Sequence, residues 1–341
     1  MIDLSKNTNC FYPNKRIYET LKNGVDNIKS YANDYVKIEN TKFSKKYNIS
    51  SNNTVVTNGT MEGMDLVLRS LELNILGIFN PTFWGIKEAA EKNRYSLVEK
   101  KIDISTCYNE VEINELASNS DIIYLCNNNN PTLNYIDSNK LLAIIKENTN
   151  CFFVIDETVL IFNIDFDNKT LIKNVNEFDN LIVLLSLSKI FGICGLRCGL
   201  IFANEKLTDK FRNKQMPYST NIISCSFIKN NIDEFMKLKK CRIKIRENFR
   251  YFIENVDKDI LKKIIYNDSS FILAELNYNI DYDDFVSFVE KNGVIISPVN
   301  KYYSCLPLNY IRISSGKKRD FTKLISIIRK YKEEKHEKSL Y

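Results

Sequence analysis

Residues 181–185, Leu-Ile-Val-Leu-Leu, form an unbroken apolar run, and a polar, glycine-rich stretch follows at once. A short run with no alternation reads as a strand buried on both faces, the habit of a parallel sheet covered by helices. What comes next is poor material for a core: Ser186, Ser188, Lys189, Gly192, Gly195, Arg197 and Gly199. The amine of Lys189 can condense with a carbonyl as a Schiff base. Ser186 and Ser188 offer hydroxyls to a phosphate, and Arg197 offers a planar fork of donors. Glycines let the main chain pass close to a ligand. Together these residues read as the seat of a covalently held, phosphorylated cofactor.

The full pattern over 186–199, Ser-x-Ser-Lys-x-Phe-Gly-x-x-Gly-Leu-Arg-x-Gly, resembles the cofactor-lysine segment of the fold type I pyridoxal-phosphate enzymes, the class I/II aminotransferases. Within them it is most similar to the branch of histidinol-phosphate aminotransferases and threonine-phosphate decarboxylases. A lysine on an ordinary surface turn would not account for the arginine eight residues further on. The resemblance implies an α/β chain, with an α/β/α sandwich around a mainly parallel sheet and a small C-terminal α/β domain. It implies an N-terminal arm over 1–30 packing with the small domain and the active site, and a large cofactor-binding domain over 31–225. A bridging helix over 226–256 and a small domain over 257–341 complete the expected organisation. Pyridoxal 5′-phosphate is the implied cofactor, and a homodimer with shared active sites is the implied assembly.

Further matches follow in chain order. Tyr31 corresponds to the tyrosine that reaches the cofactor phosphate of the partner subunit, with Ala32 where the family has proline. Gly59 and Thr60 open a segment with apolar residues at 61, 64, 67, 68 and 71, one face of a helix. A glycine turn feeding a helix N-terminus presents N–H groups and the positive dipole end to an anion, so these two read as a phosphate cup. Phe83 stands where the family stacks an aromatic on the pyridine ring, with Trp84 as the adjacent alternative. Asn130, before Pro131 and Thr132, matches the asparagine on the cofactor's phenolic oxygen, although Leu133 replaces the usual glycine. Asp156 ends the apolar run 151–155 and corresponds to the carboxylate that pairs with the pyridine nitrogen. Arg312, on an alternating segment 310–316, resembles the arginine that binds a substrate carboxylate, and Arg319 nearby is a candidate for a second anion such as a phosphate. Lys189 and Asp156 are the expected catalytic pair.

One departure from the pattern bears on the reaction. Val159 stands where aminotransferases of this family have a tyrosine that donates to the cofactor, and valine cannot donate. The resemblance implies an aminotransferase for a small, phosphorylated amino compound, and Val159 points to the alternative, decarboxylation of an O-phospho-amino acid. A fold retained as a non-catalytic scaffold would have no need of Lys189, Asp156 and Arg197 together.

Composition excludes other classes. Lys+Arg 48 against Asp+Glu 42 gives +6 over 341 residues, too mild for nucleic acid and suited to an anionic small-molecule substrate. Nine cysteines with no paired-ligand spacing, and a single histidine, read as reduced thiols of a cytoplasmic protein with no metal. The start lacks a secretory apolar region, and no apolar run approaches the ~20 residues of a membrane helix.

Overall fold

The computed structural model describes residues 1–32, 38–104, 107–299, 303, 306 and 309–338. The arm contributes β1 (Ile2–Leu4), and the chain then forms β2 (Thr54–Thr57), β3 (Ile75–Asn80), β4 (Ser96–Lys101), β5 (Ile122–Cys126), β6 (Phe152–Asp156), β7 (Leu181–Ser186) and β8 (Gly199–Phe202). Strands β2 to β8 make one seven-stranded sheet in the order 2-8-7-6-5-3-4. From β4 to β7 every pairing is parallel, whereas β8 runs antiparallel to both β7 and β2.

The apolar runs of the sequence are the strands of its centre, and both their faces are covered. Ile123, Leu125, Phe153, Ile155, Val183 and Leu185 belong to one core cluster, and Ile122, Tyr124, Val154, Ile182 and Leu184 to the other. Successive residues of a strand point to opposite faces, so a doubly covered strand must be apolar throughout. Helices Glu110–Ser118 and Ser138–Glu147 add Ile113, Leu116, Leu141 and Ile145 to the first cluster. Helices Thr60–Leu71 and Glu205–Lys214 add Met64, Val67, Leu207 and Phe211 to the second. The result is the expected α/β/α sandwich.

The second sheet is assembled from β9 (Leu261–Ile265), β10 (Phe271–Leu276), β11 (Val294–Pro298), β12 (Tyr310–Ser314) and the distant β1, in the order 1-11-12-10-9. Strand β1 pairs parallel with β11, so the extended arm is an edge strand of a sheet formed by residues almost 300 positions away (Leu4 opposite Ile296). The stretch expected as one bridging helix is two, Ile222–Asn231 and Lys239–Asn255, separated by a 3-10 segment Ile232–Lys237. Paired asparagines at 230 and 231 are weak helix formers, and Asn231 turns its amide back onto the carbonyl of Phe227. Strand β4, half-exposed and lysine-bearing, and the helix Glu110–Ser118 carry too little apolar periodicity to be read from sequence. Among the described residues no helix is long and apolar enough to cross a membrane.

Strand β6 ends in two buried carboxyls that face different surroundings. Glu157 accepts the Leu171 N–H at 2.7 Å and the Thr170 hydroxyl at 2.5 Å, and burial pushes it up to about 7 from 4.5. The folded chain thus holds this proton more tightly than the unfolded chain, so stability drops as pH rises through the interval between those two values. Glu157→Gln keeps the shape and can still bond Thr170 and Leu171. The variant is expected to flatten the fall by up to roughly 3 kcal/mol between about pH 5 and pH 8. Urea unfolding across that range checks this, and equal slopes for the two proteins would refute it.

Candidate active site

Parallel strands β5, β6 and β7 deliver Cys126, Asp156 and Ser186 at their carboxyl ends, the edge at which open α/β sheets bind ligands. They open into a cavity of about 720 Å³. It is lined by Gly59, Thr60, Phe83, Asn130, Asp156, Ser186, Lys189, Arg197 and Arg312, residues drawn from most of the length of the chain. The arm adds Ser5, Lys6 and Asn7, and the second sheet adds Ser297 and Pro298.

One end of the cavity is made by close backbone approach. Gly59 has φ 86°, and a Cβ there would fall 2.5 Å from Nη2 of Arg197. The guanidinium therefore lies across the loop that opens helix Thr60–Leu71, a helix with no side-chain cap on its first turn. A Cβ at Gly199 would meet the carbonyl carbon of Gly59 at 2.6 Å and the nitrogen of Thr60 at 2.7 Å. Only a bare Cα lets the start of β8 press against the loop. An uncapped helix start under an arginine fork is suited to a phosphate.

Deeper in, Asp156 is buried. Its carboxylate accepts the Tyr124 hydroxyl at 2.7 Å on one oxygen and the Thr158 N–H at 2.8 Å on the other. Burial pushes the carboxyl up, opposed by the bonds from Thr158 and Tyr124. A cationic N–H brought beside it would restore the charged form, since an opposite charge at short range offsets desolvation. Cys126 lines the same wall, and burial pushes its thiol up, so it is an inert neighbour.

The Lys189 turn is pinned by the arm. Buried Asn9 donates its backbone N–H to the Lys189 carbonyl at 3.0 Å and its side-chain amide to the Ile190 carbonyl at 2.8 Å. Ser188, expected at the phosphate, has another task. Its hydroxyl donates to the Cys198 carbonyl at 3.1 Å and accepts the Cys198 N–H at 2.8 Å, which ties the lysine turn to the residue before β8 and keeps the Ser188 side chain off the cavity lining.

At the mouth, Arg312 donates from Nη1 to Asn130 Oδ1 at 2.9 Å and from Nη2 to the Ser5 carbonyl and Ser297 Oγ, both at 3.2 Å. Buried Asn129 accepts the Thr82 hydroxyl and donates to the Pro81 carbonyl, fixing the loop of Phe83 and Trp84 to that of Asn130. Both aromatic rings line the cavity, 5.4 Å apart. Arg319 is not brought to the site: its side chain is 81% exposed and faces Asp320. Tyr31 also lies outside the cavity of its own chain, 83% exposed and in tilted ring contact with Tyr218 at 4.9 Å.

Sequence reasoning missed Tyr124, Asn9 and the arm residues Ser5 to Asn7. Tyr124 left a signal, the one hydroxyl in an otherwise apolar strand. Asn9 left none, because an asparagine in an extended arm looks like any turn residue.

These residues fit pyridoxal 5′-phosphate: an arginine-covered helix start for its phosphate, a buried carboxylate for its ring nitrogen, and Lys189 for its carbonyl. Comparison with known proteins agrees. The profile of the family "Aminotransferase class I and II" matches residues 1–328. The histidinol-phosphate aminotransferase of Buchnera aphidicola subsp. Cinara cedri (strain Cc) is 29% identical over 88% of this chain and 86% of that protein. In solved structures, the histidinol-phosphate aminotransferase from Clostridium acetobutylicum superposes with TM-score 0.86 at 20% identity, covering 98% of this chain and all (100%) of that one. The L-threonine-O-3-phosphate decarboxylase from Porphyromonas gingivalis gives 0.79 at 19% over 98% and 100%, and at such identities both likenesses speak for the fold alone. The fold is that of a fold type I pyridoxal-phosphate enzyme. The chain belongs to the class I and II aminotransferase family, and it is an aminotransferase with pyridoxal 5′-phosphate as cofactor.

Gly199→Ala tests the close approach. The added methyl must push Gly59 and Thr60 outward, so cofactor affinity is expected to fall about tenfold or more, with a stability loss of about 1–3 kcal/mol. Titrating apoenzyme with pyridoxal phosphate through its visible band measures the first, and wild-type affinity would refute the assignment.

Proposed function

We propose that this aminotransferase takes a small phosphorylated amine, of the histidinol-phosphate kind, as amino donor, and works in the cytoplasm as a homodimer. The observation that carries the reading is the gathering of Lys189, Asp156, Arg197 and Arg312 on one cavity. The name of the Buchnera relative supports the substrate class. Cysteine usage supports a reducing compartment.

When bound, pyridoxal phosphate supplies an electron sink that weakens the bonds at the amine-bearing carbon of the substrate. The chain's residues divide the remaining work. Arg197, Gly59, Thr60 and Ser186 would hold the phosphate, and Asp156, oriented by Tyr124, would keep the ring nitrogen protonated. Phe83, with Trp84 beside it, would hold the ring, and the Asn130 amide would donate to its phenolic oxygen while its carbonyl oxygen orients Arg312. Arg312 binds the anionic end of the substrate. Lys189 Nζ takes the proton from the amine-bearing carbon and returns it on the other side of the transfer.

Decarboxylation of an O-phospho-amino acid is the second reading, favoured by Val159, which lines the cavity and offers no donor. Mixing the holoenzyme with amino acids, amino alcohol phosphates and O-phospho-amino acids separates the two. Bleaching of the visible band, reversed by a keto acid, is the result expected, and a persistent band with steady CO2 release would replace it with the decarboxylase. Lys189→Ala is expected to lower turnover at least about a thousandfold.

The dimer rests on exposed apolar side chains concentrated in two segments. Tyr18, Val25, Ile28 and Tyr31 lie on one, Met216 and Tyr218 on the other, and the Tyr31–Tyr218 contact joins them. A patch of this kind is suited to a second copy of the chain, and Tyr31 would then reach the partner's cofactor phosphate. Sedimentation is expected to return twice the chain mass. Tyr31→Phe is expected to weaken cofactor binding by about tenfold through one lost bond to a charged group, without changing that mass. A monomer, or an unaffected affinity, would overturn the shared site.

A further inference from the structure

We infer that Lys6, together with Arg312, forms a two-cation receptor for a phosphate monoester at the end of the substrate remote from its amine, and that Lys6 sets the preference for phosphorylated substrates. The inference rests on the aminotransferase reading above and specifies its substrate.

Charge distribution around the cavity carries it. The charged residues among its described lining are Lys6, Lys189, Arg197, Arg312 and a single acid, Asp156. Arg197 lies over Gly59 at the phosphate-cup end, Lys189 serves the cofactor's carbonyl, and Asp156 balances a ring nitrogen. Lys6 and Arg312 remain on the arm side, with no acid among the described residues that line the wall they share. A single carboxylate would match one of these cations. A phosphate monoester, with a charge of about −1.5 to −2 near neutrality, matches both.

The arm places Lys6 with some rigidity. Leu4 is in register with Ile296 of β11, the Ser5 carbonyl accepts from Arg312, and Asn7 Oδ1 accepts the Ser314 hydroxyl at 2.8 Å. Lys6 stands between these anchors on the backbone. Its ammonium contacts Asp3 at 2.8 Å, but the side chain is 71% exposed, and an exposed pair of this kind is weak enough to yield to a dianion. Asp3 also accepts the Ser5 N–H at 3.0 Å, which shapes the turn that presents Lys6. The second anion site expected at Arg319 is thereby supplied from the other end of the chain. A lysine suits this position, because a point charge on a flexible stem follows substrates of different length.

The test is half-reaction kinetics of wild-type, Lys6→Met and Lys6→Arg holoenzymes, each followed by loss of the cofactor band. The probes are an amino alcohol phosphate, an amine with two carboxylates and an amine with one. For Lys6→Met, KM for the phosphate is expected to rise about tenfold or more, with kcat and the monocarboxylate kinetics within about twofold of wild type. Lys6→Arg should restore most of the affinity. Added salt should raise the phosphate KM more steeply in wild type than in Lys6→Met, a signature that a merely structural role would not give. Unchanged phosphate KM in Lys6→Met, equal losses on all three amines, or a loss confined to the dicarboxylate would each overturn the proposal. If no amine bleaches the wild-type band, the aminotransferase reading itself fails. If wild type reacts and Lys6→Met matches it, only the receptor fails.

Discussion

The guanidinium of Arg312 stands where the N-terminal arm, the large sheet and the small sheet meet, and its planar fork bonds to all three: Ser5 in the arm, Asn130 beyond β5, and Ser297 at the end of β11. Its face rests on Phe271 at 5.4 Å. These hydrogen-bond partners are neutral oxygens, so they orient the cation without cancelling its charge. A lysine could satisfy one such partner but not hold all of them in plane. The mouth of the cavity and its arm wall therefore depend on one side chain.

At the opposite end the controlling quantity is distance rather than charge. This end of the cavity takes its shape because Gly199 brings β8 within van der Waals contact of Gly59 and Thr60, and because Arg197 folds over the bare Cα of Gly59. Ser188 ties the lysine turn to the residue before the same strand. The antiparallel setting of β8 belongs to this arrangement. It brings the chain back beside β7 directly after the lysine turn, so Ser186 and Gly199 are paired across the ladder and the intervening residues close over the site. Between the two ends, Asp156 sits in a pocket that disfavours its charge until a cation arrives. Such a site favours a protonated ring nitrogen over a neutral one.

The run of four asparagines at 127–130 shows how far residue type falls short of role. Asn127 bonds both backbone groups of Ile136, Asn128 reaches the Asn267 carbonyl, Asn129 fixes the loop of Phe83, and only Asn130 faces the cavity with Arg312. Nothing local distinguishes them, because each partner comes from a different part of the fold. The same holds for Ser186 and Ser188, two residues apart, of which one lines the cavity and the other bonds the residue before β8. It holds for Arg312 and Arg319 as well, of which one is in the site and the other in solvent.

What the sequence by itself determined was the covered parallel sheet and the family's motif on it. Five or six consecutive apolar residues can be satisfied only by burial on both faces, and a lysine, glycines and an arginine at the end of such a strand have no structural reason to occur together. Those are short-range facts, carried by neighbouring residues. Tertiary structure alone decided that β1 joins the second sheet, that Asn9 and Lys6 come to the lysine turn and the cavity wall, that Tyr124 orients Asp156, and that Arg319 stays outside. These depend on contacts between segments tens to hundreds of residues apart. Their geometry follows from how two sheets and an arm pack, and it leaves no periodicity in the chain to read.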